Sequence, residues 1–110
     1  MSVAYRQKDL RRFSREEVCF RVELAGPDFE PASGLIVNIS PLGCMVRCSQ
    51  PVEQGASLRF SLPMAGRIEA RVVWVMGGRM GLEFSEEIDA KPYLAMLDHL
   101  RRPGDEMGIY

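Results

Sequence analysis

Residues 67–84 read RIEARVVWVMGGRMGLEF. In the first half Ile68, Ala70, Val72, Trp74 and Met76 fall on one side, with Glu69 and Arg71 on the other. A period of two is the signature of a strand with one face against a core. Gly77-Gly78 then supplies the two residues of a tight hairpin turn, whose central positions need a positive φ. Beyond the turn Met80, Leu82 and Phe84 resume the alternation toward the core. The stretch is therefore a β-hairpin, and a lone hairpin is only marginally stable in water. Its partners must come from the preceding sequence.

Four further segments carry the same period. Val18, Phe20, Val22 and Leu24 alternate with Cys19, Arg21 and Glu23, and Leu58, Phe60 and Leu62 alternate with Arg59 and Ser61. LIVNIS, residues 35–40, sets Leu35, Val37 and Ile39 on one face and Ile36, Asn38 and Ser40 on the other. CMVRC, residues 44–48, turns Cys44, Val46 and Cys48 inward, with Met45 and Arg47 outward. Turn-rich connections separate the segments, as in AGPDFEPASG, SQPVEQGA and PMAG. Short, evenly spaced strands without intervening helices predict an all-β fold, a six-stranded antiparallel β-barrel. Closing the sheet also removes the edges that would otherwise be exposed.

One helical pattern follows the strands. Tyr93, Met96, Leu97 and Leu100 share a face, Asp89 can cap the start, and Pro92 is tolerated in the first turn. Arg101 and Arg102 suit the C-terminal dipole, and Pro103-Gly104 is expected to end the helix. The predicted organisation is a basic, flexible leader over 1–16, a barrel with its C-terminal helix over 17–102, and a loose tail over 103–110.

With 110 residues, 46% of them hydrophobic, the chain can build one core and no second domain. No apolar run is long enough to cross a bilayer, and the N-terminus lacks an apolar signal core. The expectation is a cytoplasmic protein without membrane insertion. Cys19, Cys44 and Cys48 are odd in number, lack CxxC spacing and have one histidine, His99, to join them, so reduced thiols are expected rather than a metal site. Glu86, Glu87 and Asp89 precede the helix, where they suit its positive N-terminus. No nucleophile, base and orienting residue can be assembled, which argues against an enzyme and for a chain without a cofactor.

Charge is unevenly distributed. The net charge is −1, yet the first 15 residues hold five positive charges and one negative. RRFSR, residues 11–15, contributes three of the arginines. A solvated arm has this composition, and so does an anion-binding arm. The guanidinium fork makes bidentate bonds to phosphate and pairs in plane with the O6/N7 edge of guanine. The second polar stretch is NISPLG, residues 38–43. Asn38 and Ser40 can hydrogen-bond outward at the strand end, and Gly43 allows a positive φ or close approach of a ligand. On spacing alone, an ordinary turn in which both side chains bond their own backbone is the simpler reading.

Taken in order, Arg11 and Arg15 as RxxxR, followed by Asn38-x-Ser40-x-x-Gly43, resemble the two motifs of the PilZ domain, a bacterial receptor for cyclic di-GMP. The strand pattern, the late helix and the GLEF stretch are similar to that family as well, over about residues 8–102. The resemblance implies that Arg11 and Arg15 contact phosphates and guanine edges, that Asn38 and Ser40 hydrogen-bond the ligand, and that Gly43 shapes the turn receiving it. Arg12 fills a variable position and can add a phosphate contact or a stacking plane. It further implies a receptor or adaptor that acts on a protein effector in bacterial second-messenger signalling, in motility or biofilm formation.

Two alternatives stay open. One is a PilZ-like interaction module that does not bind nucleotide, in motility or polysaccharide machinery; the intact arginine pair argues against it. The other is a small barrel for single-stranded nucleic acid. A nucleic acid polymer is not expected, because Phe20, Phe60, Trp74 and Phe84 all fall on predicted core faces, leaving no stacking platform. Arg71, on the outward face, is expected to be an ordinary surface arginine.

Overall fold

The computed structural model describes residues 15–109, with side chains described through Leu100. Its strands are β1 (Glu16–Gly26), β2 (Phe29–Ser40), β3 (Gly43–Arg47), β4 (Ser57–Leu62), β5 (Gly66–Met76) and β6 (Arg79–Phe84), followed by helix α1 (Ala90–Ile109). They close into an antiparallel barrel in the order β1-β2-β3-β6-β5-β4. This is the architecture that the alternation predicts. The β1–β4 seam is narrow, with a single register pair at Ala25 and Arg59, and α1 packs against β1.

Inward side chains from every strand fill the barrel. Leu24, Ile36, Ile39, Val46, Val72 and Met80 are almost completely buried, and Met96 adds a plug from the helix. Phe60 and Phe84 meet edge-on, with ring centroids 6.3 Å apart. Tyr93, Met96, Leu97 and Leu100 are the buried helical face, as expected. The Tyr93 N–H donates to the Asp89 carbonyl at 3.0 Å, which sets Asp89 at the helix start. Gly77 and Gly78 both have positive φ, 56° and 79°, as the tight hairpin turn requires. The helix continues past Pro103-Gly104, where an end was expected. A proline removes one helical N–H and crowds the preceding turn, a cost that does not always terminate a helix.

Two strands depart from simple alternation. Across β2 and β3, Ile36 pairs with Val46 and Asn38 with Met45, so Val37 is an extra residue without a counterpart. This bulge shifts the phase of the strand. Ile36 and Ile39 both point inward, whereas Leu35 and Val37 are only half-buried. The expected inward set of Leu35, Val37 and Ile39 thus holds at Ile39 alone. In β5, Val72 pairs with Leu82 and Trp74 with Gly81, leaving Val73 over. Trp74 is thereby moved off the core face, and Met76, expected inside, is 73% exposed.

A candidate ligand site at the β2–β3 bend

Register places the site. At the start of β1, Glu16 pairs with Ile39 and Glu17 with Asn38. Arg15, the residue before β1 and exposed, therefore stands beside the strand end that carries the Asn38–Gly43 motif. Its charge reaches the next strand. Burial pushes the Cys44 thiol far above its ordinary range, and the Arg15 guanidinium opposes that shift from nearby. Arg11 and Arg12 lie outside the described residues.

The bulge at Val37 turns the Asn38 side chain toward Met45. Its Nδ2 contacts Met45 Sδ at 3.9 Å, a weak bond because a thioether is a poor acceptor. Its Oδ1 is buried and accepts no hydrogen bond among the described residues. A buried acceptor without a donor costs about 1–3 kcal/mol, so the described residues leave the Asn38 amide oxygen unsatisfied.

Ser40 and Gly43 differ from their expected placement. Ser40 is 5% exposed rather than outward, and its Oγ accepts the Leu42 N–H at 3.2 Å. That is the backbone-bonded turn the spacing alone suggests. Gly43 is not among the positive-φ glycines. It is needed because β6 runs close against it, and a Cβ there would collide with the Leu82 carbonyl oxygen.

The bend is held firmly from behind. The Phe84 N–H donates to the Leu42 carbonyl at 2.9 Å, and the Ile88 N–H to the Pro41 carbonyl at 3.0 Å. From α1, the Tyr93 hydroxyl donates to the Ile39 carbonyl at 3.2 Å. Three successive parts of the chain after β5 are thus tied to one four-residue turn.

Sequence reasoning missed Trp74. The register forms an outward row across four strands, Asn38 on β2, Met45 on β3, Gly81 on β6 and Trp74 on β5. The half-buried indole lies over Gly81, where any Cβ would strike it. An aromatic covering a strand glycine is a known stabilising arrangement. The signal for it was Gly81 itself, a glycine in mid-strand directly before Leu82. Arg71, by contrast, is an ordinary surface residue: its Nη2 pairs with Glu83 Oε1 at 3.3 Å in an exposed ion pair. Among the described residues no group of His, Cys, Asp and Glu could hold a metal ion, and no helix is long and apolar enough to cross a membrane.

The described residues thus form a small closed barrel with a cationic strand entry beside a polar bend. The PilZ domain family matches residues 9–102, and the chain belongs to that family. Its members are generally receptor or adaptor modules for cyclic di-GMP. Among solved structures the chain is similar to the crystal structure of the PilZ domain of CeSA from a cellulose synthesizing bacterium, with 16% identity, a TM-score of 0.59, and coverage of 83% of this chain and 98% of that one. It is also similar to the Bacillus subtilis inhibitor of motility MotI/DgrA, with 25% identity, a TM-score of 0.57, and coverage of 87% of this chain. The match spans 51% of that longer protein. No curated protein matches in sequence.

Proposed function

We propose that the chain is a cyclic di-GMP receptor that acts as an adaptor, coupling nucleotide binding to a protein partner. The reading is carried by one observation: Arg15 enters the barrel beside Asn38, whose buried Oδ1 has no donor among the described residues. A guanine base presents N–H donors, and its phosphodiester oxygens suit guanidinium groups. In this reading Arg15, Arg11 and Arg12 bind phosphates and guanine edges, Asn38 and Ser40 hydrogen-bond the base, and Trp74 offers an apolar flank at the end of the row. Charge-assisted bonds of about 1.5–3 kcal/mol each from two or three arginines supply much of a micromolar affinity.

The hydrogen bonds from Tyr93 and Ile88 give the adaptor its lever. A ligand that moves the bend shifts the α1 start with it, and no chemical step is required. The likeness to an inhibitor of motility supports motility as the process involved. Titration calorimetry with cyclic di-GMP tests the reading, with Trp74 emission as a second readout. Saturable heat, with an affinity that Arg15→Ala lowers at least about ten-fold, 1.4 kcal/mol, is the expected result. Absence of heat, or equal affinity in Arg15→Ala, would instead leave a nucleotide-independent interaction module.

A further inference from the structure

Next to the Asn38 row lies a second outward row, made mostly of arginine. Leu35 pairs with Arg21 on one side and Arg47 on the other, Arg47 pairs with Arg79, and Arg79 pairs with Met76. The three arginines come from β1, β3 and β6, and all are exposed. None makes an ion pair among the described residues, whereas Arg71 on the same outer surface has Glu83. Glu23 follows Arg21 on the same strand face, and no ion pair joins them. Like charges directly across a strand pair, as at Arg47 and Arg79, are destabilising. A fold that keeps them there holds an unspent positive field.

The surroundings indicate what the field receives. Arg21 and Arg47 flank a shallow cleft of about 340 Å³ floored by Gly34 and Leu35. Arg21 is held over it by a 3.4 Å hydrogen bond from Nη1 to Ser33 Oγ. That volume lies at the low end for small-molecule pockets, about 300–1,000 Å³, and its position on the convex outside of the barrel would leave a small anion largely in water. An extended peptide fits better. Its same-face side chains recur about every 6.5 Å, between the spacing of about 4.8 Å for the adjacent strands of Arg47 and Arg79 and that of about 9.5 Å for the strands of Arg21 and Arg47, two apart. At the far end Met76 is 73% exposed and Val75 43%. Arginine and methionine are both enriched in protein–protein interfaces.

We propose that the Arg21–Arg47–Arg79 row, ending at Met76, is a docking surface for an acidic segment of a partner protein. The segment lies across the strands with its carboxylates on the guanidinium groups and an apolar side chain on Met76. On β3 and β6 this row is the next along from Met45 and Gly81, so a docked segment lies beside the nucleotide site without sharing its residues.

The test is fluorescence anisotropy of the full chain with a fluorescein-labelled peptide of alternating glutamate and serine that ends in leucine, at about 0.1 M salt and without nucleotide. The expected result is saturable binding that Arg47→Gln/Arg79→Gln weakens at least about ten-fold, with Met76→Ser also weakening it. Arg67→Gln, which removes an exposed charge at the other end of β5, leaves it within about two-fold. Circular dichroism reports the fold, and the single variant Arg79→Gln repeats the test if the double variant unfolds. No binding, an equal loss in Arg67→Gln, or a loss in Arg15→Ala in place of the row variant overturns the proposal. Tighter binding through the same arginines to oligodeoxythymidine or to vesicles of phosphatidylcholine and phosphatidylglycerol also overturns it, in favour of a nucleic acid or a lipid surface. The assay contains no cyclic di-GMP, so its failure is separate from any failure of the nucleotide reading.

Discussion

The Tyr93 hydroxyl donates to the Ile39 carbonyl across 3.2 Å of buried space, linking residues 54 positions apart. Ile39 sits inside the Asn38–Gly43 motif, so this bond joins the candidate site to the helix. Tyr93→Phe leaves the carbonyl without that donor and costs about 1–2 kcal/mol. For a domain of this size the melting temperature should fall by about 4–8 °C per kcal/mol. Hydrogen exchange should show faster opening of the first helical turn than in the parent protein. A variant as stable as the parent would mean that the bend and the helix are not coupled through this contact.

Trp74 and Gly81 form a second dependent pair. The chain has one tryptophan, so its emission reports this site alone. Gly81→Ala places a methyl where the indole lies, and either the ring or the β5–β6 pairing must shift. Overpacking of this kind costs about 1–3 kcal/mol. The expected result is a red-shifted emission together with a lower urea midpoint. An unchanged spectrum would place the indole away from Gly81.

How far the sequence could be read depends on where apolar residues mark the phase of a strand. In β4 and β6 Leu58, Phe60, Leu62, Met80, Leu82 and Phe84 are separated by polar residues or glycine, and all six are buried as expected. The bulges fall where the marking fails. Leu35, Ile36, Val37 and Ile39 are all apolar, as is the run from Val72 to Met76, so an extra residue shifts the strand without disturbing its composition. Trp74 was hidden for that reason. The nearness of Arg15 to Asn38 follows from the antiparallel pairing of β1 with β2, which the alternation of either strand alone does not state. The burial of Ser40 depends on tertiary contacts that no local spacing encodes.

Cys44 gives a pH prediction. Its thiol is held protonated in the folded barrel because burial disfavours the thiolate, and Arg15 only partly offsets this. A folded pKa above the unfolded one means that stability is intact below the unfolded value, about 8.5. As pH rises beyond it the unfolded chain releases a proton that the folded chain retains, and stability falls by up to about 1.4 kcal/mol per pH unit. Urea titrations near pH 8 and near pH 10 should show a steeper loss for the parent than for Cys44→Ala. Parallel losses would assign the alkaline sensitivity to other groups.

Asn38 separates a structural role from a functional one by opposite signs. Its Oδ1 is buried without a donor among the described residues, and its only hydrogen bond there is the weak one to Met45. Asn38→Leu removes the unsatisfied acceptor and keeps a similar volume, so stability should be unchanged or higher by up to about 1 kcal/mol. Cyclic di-GMP affinity should fall at least about ten-fold, because a ligand donor loses its acceptor at the same position. Chemical denaturation and calorimetry on one preparation measure both quantities. A residue kept for packing would lose stability and leave the affinity alone, whereas a gain in stability with a loss of binding identifies a polar group whose partner is the ligand.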